Sequence, residues 1–282
     1  MTTFTHNTVP TEFLEAEGTR FAYRRFGAKG GVPIVFFQHF MGNLDDHDPA
    51  ITNAFAADRE VILFNNAGIA SSTGTTPDSI EQTARDAEAF IDALRLTTVD
   101  LLAHSMGGFV ALHVTFDRPE LVCRLVLVGT APRGGEGVGE MTPETEALFF
   151  KEYEHQEEMW LPILFSPSES SQAAGRAFLA RMMARQDRDE AVSMETVKAQ
   201  AAAIGAYGAK KDPTYAHLKD LRQPTLVVNG NNDIIVATIN SYILQQYAPN
   251  AQLILYPDSN HSAHFQYPEL FVQHTKLFLD AQ

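Results

Sequence analysis

Cysteine is almost absent from this sequence. Cys123 is the only one in 282 residues, so the chain cannot form an intramolecular disulfide bond. A chain of this length buries enough apolar surface to fold without disulfides or a structural metal. Cys123 stands in the apolar run 123–128, and we predict that it is a small core residue in a buried strand and not a reactive thiol.

Basic side chains are also scarce, and long apolar runs are missing. The 21 lysine and arginine residues face 35 aspartate and glutamate residues, which gives a formal net charge of −14. This charge argues against nucleic acids and anionic membranes as partners, because both attract clustered basic residues. No apolar run reaches the length of a membrane-spanning helix, about 18 residues. The N-terminal segment lacks the basic and apolar regions of a secretory signal, so we expect a cytoplasmic protein.

Short apolar runs alternate with amphipathic helical patterns along the chain. The predicted strands are 33–37, 60–64, 99–103, 125–128, 225–228 and 252–255, and the predicted helices are 79–94, 106–116 and 268–279. Runs that are mostly apolar and do not alternate with polar residues suit strands covered on both faces, as in a parallel sheet. Residues 12–17 and 20–26 predict an antiparallel hairpin at the sheet edge. The pattern predicts an α/β fold with a doubly wound, mostly parallel sheet flanked by helices.

One long stretch interrupts this alternation. Residues 133–212 have a mostly helical composition with few β-branched side chains, and an unstructured loop of that length is rare in a compact domain. We therefore predict a helical cap over residues 133–212, inserted into a core formed by 1–132 and 213–282. The side chains that we expect to line a substrate pocket are Trp160, Leu164 and Phe165 of the cap and His39 of the core.

Ser105 follows a predicted strand without a break, and a predicted helix begins at Met106. Such a sharp bend leaves little room two residues before and two residues after the serine, where Ala103 and Gly107 are both small. The bend raises the hydroxyl above the sheet and directs the Met106 N–H at a developing oxyanion. We predict that Ser105 is a nucleophile, with a packing role for the glycines as the alternative.

A serine hydroxyl is a poor nucleophile without a base. His261 lies just after the last predicted strand, at the carboxyl edge where the sites of parallel sheets collect. His264 lies close by and is the competing candidate, whereas His104 is expected to be structural.

The base in turn needs a carboxylate that fixes its tautomer. Asp233 lies a few residues past the strand 225–228, whereas Asp258 is too near His261 in the sequence to orient it easily. We predict that Asp233 orients the base, with an ordinary surface turn as the alternative for this residue.

These segments resemble the α/β-hydrolase fold family, and in particular its small esterases, lactonases, C–C hydrolases and non-haem perhydrolases. The resemblance covers nearly the whole chain, and it implies that Ser105, Asp233 and His261 form a catalytic triad in the family's chain order. Ala103 replaces the first glycine of the family's G-x-S-x-G pattern, and Asn260 replaces the glycine before the histidine. A serine nucleophile argues against the dehalogenases and epoxide hydrolases of this fold, which use an aspartate.

The resemblance also implies a second oxyanion donor. The family's His-Gly-x loop after the first long strand corresponds to residues 38–43, where Gln38 and His39 replace the histidine and the glycine. Phe40 then stands at the donor position, so its N–H is expected to act with that of Met106.

An acidic segment at residues 45–48, with the sequence Asp-Asp-His-Asp, raises the question of a metal site. Metal sites need several converging ligands, and we therefore expect a solvated loop here and no metal or cofactor.

The expected function is hydrolysis of a small to medium, largely apolar ester or lactone through an acyl-enzyme. A C–C bond hydrolase, a perhydrolase or haloperoxidase with the same triad, and a ligand receptor without turnover remain alternatives. The expected partner is a small-molecule substrate, and a homodimer stays open.

Overall fold

The computed structural model describes residues 4–149 and 151–281. Eight strands form one sheet in the order β1-β2-β4-β3-β5-β6-β7-β8. They are β1 (Glu12–Ala16), β2 (Thr19–Gly27), β3 (Ile34–Phe37), β4 (Glu60–Phe64), β5 (Val99–His104), β6 (Val122–Val128), β7 (Thr225–Gly230) and β8 (Ala251–Tyr256). The β1–β2 and β2–β4 pairs are antiparallel and all later pairs are parallel, which confirms the predicted doubly wound, mostly parallel sheet.

Helices cover both faces of this sheet. They are α1 (Pro49–Ala56), α2 (Ile80–Ala93), α3 (Met106–Asp117), α4 (Pro143–Phe149), α5 (Trp160–Leu164), α6 (Glu169–Met182), α7 (Met194–Ala209), α8 (Ile239–Tyr247), α9 (Ala263–Gln266) and α10 (Pro268–Leu279), with 3-10 helices at Gln156–Met159 and Ala216–Asp220. The sequence predicted α2, α3 and α10 to within one residue at each end. It missed α1 and α8, which are only 8 and 9 residues long and so show little periodicity.

Alternate residues of each strand point to opposite faces of the sheet, so the apolar runs fill two cores. Val35 of β3 and Leu101 of β5 belong to the core under α2 and α3. Phe36 and Leu102, one residue further along the same strands, belong to the core under α1 and α10. Both faces of the central strands are therefore buried, as their apolar runs predicted. The run 252–255 is an exception, because β8 lies at the sheet edge, is only partly buried and exposes Leu255.

The insertion, residues 133–212, contains the helices α4 to α7. Phe178 of α6 stacks on Phe265 with ring centroids 4.2 Å apart, and Tyr207 of α7 stacks on Phe109 at 4.4 Å. Stacked aromatic pairs of this kind bury large apolar surfaces and fix geometry. They hold the insertion against the helices α9 and α3. That the insertion forms a separate cap stays a prediction.

The expectation of a solvated loop at residues 45–48 is wrong, because all four side chains are buried. The three carboxylates pair with arginines: Asp45 with Arg24 at 2.5 Å, Asp46 with Arg188 at 3.1 Å and Asp48 with Arg181 at 2.6 Å. Buried carboxylates need such partners. Among the residues that the structure describes, no group of three or more His, Cys, Asp and Glu side chains is placed to hold a metal ion.

Two smaller observations bear on the other expectations. Cys123 lies in strand β6 as predicted, but it is half-buried at the sheet and not a full core residue. In residues 4–149 and 151–281, no helix combines the length and the apolar character needed to span a bilayer.

Candidate active site

Ser105 lies at a strained bend between β5 and α3. Its φ of 55° and ψ of −122° lie outside the common regions for a residue with a side chain, which costs of order 1–3 kcal/mol. The Ser105 N–H donates to the Val128 carbonyl at 2.9 Å. The Ser105 carbonyl accepts from the Gly108 N–H and from the Thr130 hydroxyl, both at 2.8 Å. These hydrogen bonds hold the bend.

The small residues after the serine are required by close packing. A Cβ atom on Gly107 would lie 2.6 Å from the Phe37 carbonyl oxygen, at the end of β3. A Cβ atom on Gly108 would overlap the side chain of Thr130, which holds the Ser105 carbonyl. These glycines therefore have the packing role that was the alternative interpretation, and the bend at Ser105 is present as well.

The structure brings together the three side chains that the sequence singled out. His261 Nε2 lies 2.8 Å from Ser105 Oγ, and His261 Nδ1 lies 2.8 Å from Asp233 Oδ2. All three residues are buried, with exposures of 6% for Ser105 and Asp233 and 3% for His261. The three residues follow β5, β7 and β8, and they meet because parallel strands end at one edge of the sheet.

The loop that carries Asp233 leaves one carboxylate oxygen for the histidine. Oδ1 accepts the N–H groups of Ile235 and Val236, both at 2.9 Å. Oδ2 faces His261 Nδ1. A carboxylate only accepts hydrogen bonds, so in the neutral ring Nδ1 carries the proton and Nε2 is free to accept that of Ser105.

Asn260 occupies the position of the expected glycine. Its side chain contacts the loop that carries Asp233 and the end of α5. Its Oδ1 accepts the Ile234 N–H at 2.9 Å, in the loop that carries Asp233. Its Nδ2 lies 3.5 Å from the carbonyls of Pro162 and Phe165, in and just after α5. The backbone of Asn260 packs on Gly230, where a Cβ atom would lie 2.2 Å from the Asn260 carbonyl oxygen.

The other histidines near the site are buried and neutral. His104 Nε2 lies 3.1 Å from the Ser262 hydroxyl and 3.3 Å from the His261 carbonyl, which matches the expected structural role. His264, the competing base, packs its ring on His104 at 4.6 Å and not on Ser105. Burial holds the pKa of both rings well below the ordinary value. Burial likewise lowers the pKa of His39 to about 4.

A cavity of about 150 Å³ opens beside the serine hydroxyl. Most of its lining is apolar: Phe40, Ser105, Met106, Phe109, Val138, Gly139, Glu140, Met141, Phe149, Ala201, Ile204, Ile235 and Val236. Phe40 and Met106, the two expected oxyanion donors, are both in this lining. Among the described residues, no protein acceptor takes the Phe40 N–H or the Met106 N–H.

None of the four residues expected to line a substrate pocket lies in the described lining of the cavity beside Ser105. Leu164 at the end of α5 and Phe165 just after it are buried in the core, where the Phe165 ring packs on Phe178 of α6 with centroids 5.9 Å apart. Trp160 lines a separate cavity of about 420 Å³ and packs on the ring of His39, with centroids 4.8 Å apart. His39 Nδ1 lies 2.8 Å from the Phe40 carbonyl, so this side chain is engaged within its own loop.

Sequence reasoning missed most residues that do line the cavity. They come from α3, from the glycine-rich segment before α4, from α4 itself, from α7 and from the turn after Asp233: Phe109, Val138, Met141, Phe149, Ile204, Ile235 and Val236. A usable signal existed only for Ile235 and Val236, which directly follow the predicted acid.

The comparisons with known proteins identify the family and the fold. The family model described as alpha/beta hydrolase fold matches residues 32–268. The solved structure of an alpha/beta hydrolase fold protein from Chitinophaga pinensis superposes with a TM-score of 0.93. That protein is 39% identical, and the match covers 99% of this chain and 100% of that chain.

Two further relatives have more specific descriptions. The pimeloyl-(acyl-carrier protein) methyl ester esterase of Nitrosomonas europaea is 29% identical over 175 residues, which are 60% of this chain and 66% of that protein. The solved structure of Est816, described as an N-acyl homoserine lactone degrading enzyme, is 26% identical with a TM-score of 0.73. It covers 95% of this chain and 100% of that chain.

Proposed function

The chain belongs to the alpha/beta hydrolase fold family, and on that premise we propose that it is a serine hydrolase of small to medium, largely apolar carboxylic esters or lactones. The observation that carries the proposal is the distance of 2.8 Å from His261 Nε2 to Ser105 Oγ. Without a base at this distance a serine hydroxyl does not attack a carbonyl at a useful rate.

The first half of the proposed reaction acylates the serine. His261 Nε2 accepts the proton of Ser105 while Oγ bonds to the carbonyl carbon of the substrate. The Phe40 and Met106 N–H groups stabilise the oxyanion, and Asp233 stabilises the imidazolium. When the C–O bond breaks, His261 returns the proton to the departing alkoxide and the acyl group stays on Ser105.

The second half releases the acid. His261 accepts a proton from a water molecule, and the resulting hydroxide oxygen bonds to the acyl carbon. The bond to Ser105 Oγ breaks and the proton returns to Oγ. With a lactone as substrate, alcohol and acid leave as one hydroxy acid.

The cavity lining supports an uncharged, mostly apolar substrate. Glu140 is the one charged residue among the described lining, and no lysine or arginine accompanies it. A carboxylate there disfavours anionic acyl groups, as does the net charge of −14. A volume of about 150 Å³ fits a short acyl chain. One relative is described as a methyl ester esterase and another as an N-acyl homoserine lactone degrading enzyme, and these descriptions support ester or lactone chemistry for this chain.

The test is Ser105→Ala, assayed with p-nitrophenyl acetate and butyrate. We expect a loss of kcat of about ten-thousand-fold or more, because the members of a triad act as a unit. Ser170→Ala is the matched control, since that hydroxyl lies on α6 and donates to Asp258 at an exposed site. Wild-type turnover by Ser105→Ala would contradict the proposal.

A substrate panel separates the alternatives that use the same residues. Esters, lactones, β-diketones and a halogenation assay with peroxide are compared at equal enzyme concentration. Turnover of the β-diketones alone would assign a C–C hydrolase, and halogenation alone would assign a perhydrolase. Saturable binding without any turnover would assign a receptor.

A further inference from the structure

The peptide unit between Phe40 and Met41 is held on both sides. The Met41 N–H donates to Gln200 Oε1 at 2.9 Å. The Phe40 carbonyl, on the other side of the same peptide, accepts from His39 Nδ1 at 2.8 Å. Gln200 lies on α7 in the insertion, 159 residues away in the chain, and only 4% of it is exposed.

This peptide unit is the centre of a tight turn. The Gly42 N–H donates to the His39 carbonyl at 3.1 Å, which closes a four-residue turn from 39 to 42. Met41 has a φ of 65°, the sign that the third residue of a type II turn requires. A residue with a side chain adopts this φ only at a cost in free energy. Reversal of the central peptide would relieve it and give a type I turn, and the two side-chain hydrogen bonds oppose that reversal.

The turn sets the direction of the proposed oxyanion donor. The His39 carbonyl and the Phe40 N–H belong to one planar trans peptide, so they point in opposite directions. Because the His39 carbonyl points into the turn toward Gly42, the Phe40 N–H points out of it. Among the described residues it meets no protein acceptor there, and Phe40 lines the cavity beside Ser105.

Helix α7 therefore contacts both the cavity beside Ser105 and the loop 38–43, which carries the Phe40 N–H. Ala201 and Ile204 of this helix line the cavity, next to Gln200 in the chain. Besides the bond from Met41 to Gln200, the loop 38–43 makes a second hydrogen bond to the insertion, in which Asn43 Nδ2 donates to the Glu190 carbonyl at 3.0 Å. We propose that Gln200 is a positioning residue, which anchors the turn 39–42 to α7 through the Met41 N–H and so keeps the Phe40 N–H beside Ser105, where the substrate oxyanion forms. This inference rests on the proposed function.

The expected consequence is specific to the transition state. Removal of the Gln200 acceptor leaves the partly buried Met41 N–H without a partner and lets the turn 39–42 shift away from α7, which moves the Phe40 N–H with it. An oxyanion donor forms a stronger hydrogen bond in the transition state, where the oxygen carries negative charge, than in the bound substrate. We therefore expect kcat to fall about tenfold or more while KM changes little.

The experiment compares Gln200→Leu with Gln200→Glu, using p-nitrophenyl butyrate. The glutamate variant keeps an acceptor oxygen at the same place, and we expect it to retain kcat within about threefold. Lys198→Leu is the control, because Lys198 is exposed on the same helix and makes the same change from polar to apolar. A trifluoromethyl ketone, which forms an oxyanion on the serine, should lose affinity for Gln200→Leu by the same factor as kcat.

A second measurement does not depend on turnover. Hydrogen exchange followed by mass spectrometry on a peptide that contains Met41 reports whether its N–H is bonded. We expect faster exchange in Gln200→Leu than in the wild type and in Lys198→Leu. This measurement stays informative if Gln200→Leu loses stability, since Gln200→Glu supplies the folded comparison.

The outcomes separate the two proposals. If Ser105→Ala is inactive but Gln200→Leu keeps wild-type kcat, the positioning role is overturned and the proposed function stands. Equal losses in Gln200→Leu and Gln200→Glu also overturn the positioning role, because only the leucine variant lacks the acceptor. If Ser105→Ala keeps wild-type turnover, the proposed function fails, and the positioning role fails with it.

Discussion

Gly129 lies against the backbone of His261. A Cβ atom on Gly129 would lie 2.6 Å from the His261 carbonyl oxygen and 3.2 Å from its Nδ1. Gly129 also has a φ of 53°, which favours glycine. Because Gly129 has no side chain, the loop that carries His261 can pack directly against the end of β6.

Gly129→Ala is expected to displace His261 and to lower both activity and stability. The added methyl group meets backbone that cannot move without shifting the ring away from Ser105, so we expect kcat to fall at least about tenfold. Gly205→Ala is the control, since a Cβ there meets nothing within 4 Å on the interior of α7. That variant should be as active as the wild type and more stable by about 0.5–1 kcal/mol. Wild-type kcat in Gly129→Ala would contradict the prediction.

Asp233→Asn is expected to lower kcat by about a thousand- to ten-thousand-fold. The amide that replaces the carboxylate can donate to His261 Nδ1, which favours the tautomer with the proton on Nε2, the wrong one for accepting the Ser105 proton. Steady-state kinetics with p-nitrophenyl butyrate measure the effect. Asp258→Asn is the control, because Asp258 is exposed and accepts from Ser168 and Ser170. A similar loss of kcat in both variants would contradict the prediction that the Asp233 carboxylate orients His261.

Arg24→Met is expected to destabilise the fold by about 3 kcal/mol or more. Arg24 and Asp45 are both fully buried at 2.5 Å, and removal of one partner leaves a buried charge that is only partly compensated. Urea denaturation gives the free energy of unfolding. Arg118→Met is the comparison, since its partners Asp92 and Glu120 are at the surface and the loss there should stay under about 1 kcal/mol. Equal losses in both variants would refute the distinction between buried and exposed pairs.

Asp100→Asn is expected to change how stability depends on pH. Burial raises the pKa of Asp100 to about 6, so the folded protein binds this proton more tightly than the unfolded chain does. The wild type should therefore lose stability relative to Asp100→Asn as the pH rises from about 4 to about 6, by roughly 2 kcal/mol. Above that range the difference should stay constant. Urea denaturation at pH 4, 5, 6 and 7 measures it, and a difference that is flat throughout would disprove the shift.

The sequence was sufficient to predict the sheet, the bend at Ser105 and the side chains of Asp233 and His261 that meet there. Those features leave local signals: unbroken apolar runs, small residues around a serine, and polar residues just after strands. The catalytic roles of Ser105, Asp233 and His261 stay predictions that the measurements above test.

The errors have a different origin, because they concern contacts between distant parts of the chain. The aspartates at 45–48 looked solvated because two of their arginine partners, Arg181 and Arg188, lie more than 130 residues further on. Leu164 and Phe165 are as apolar as true cavity residues, and only the packing of α5 decides that they face the core. Gln200 showed no signal at all, since its partner is a backbone N–H.

The site is divided among loops that follow β5, β7 and β8, and His261 comes last in the chain. Ser105 and His261 are 156 residues apart in the sequence, so a growing polypeptide on the ribosome contains the serine long before the histidine. Until the loop after β8 emerges and docks, the Ser105 hydroxyl lacks its hydrogen-bond partner His261. If the proposed function is right, a chain that has not yet reached His261 has no base for Ser105, and translation itself delays the onset of activity.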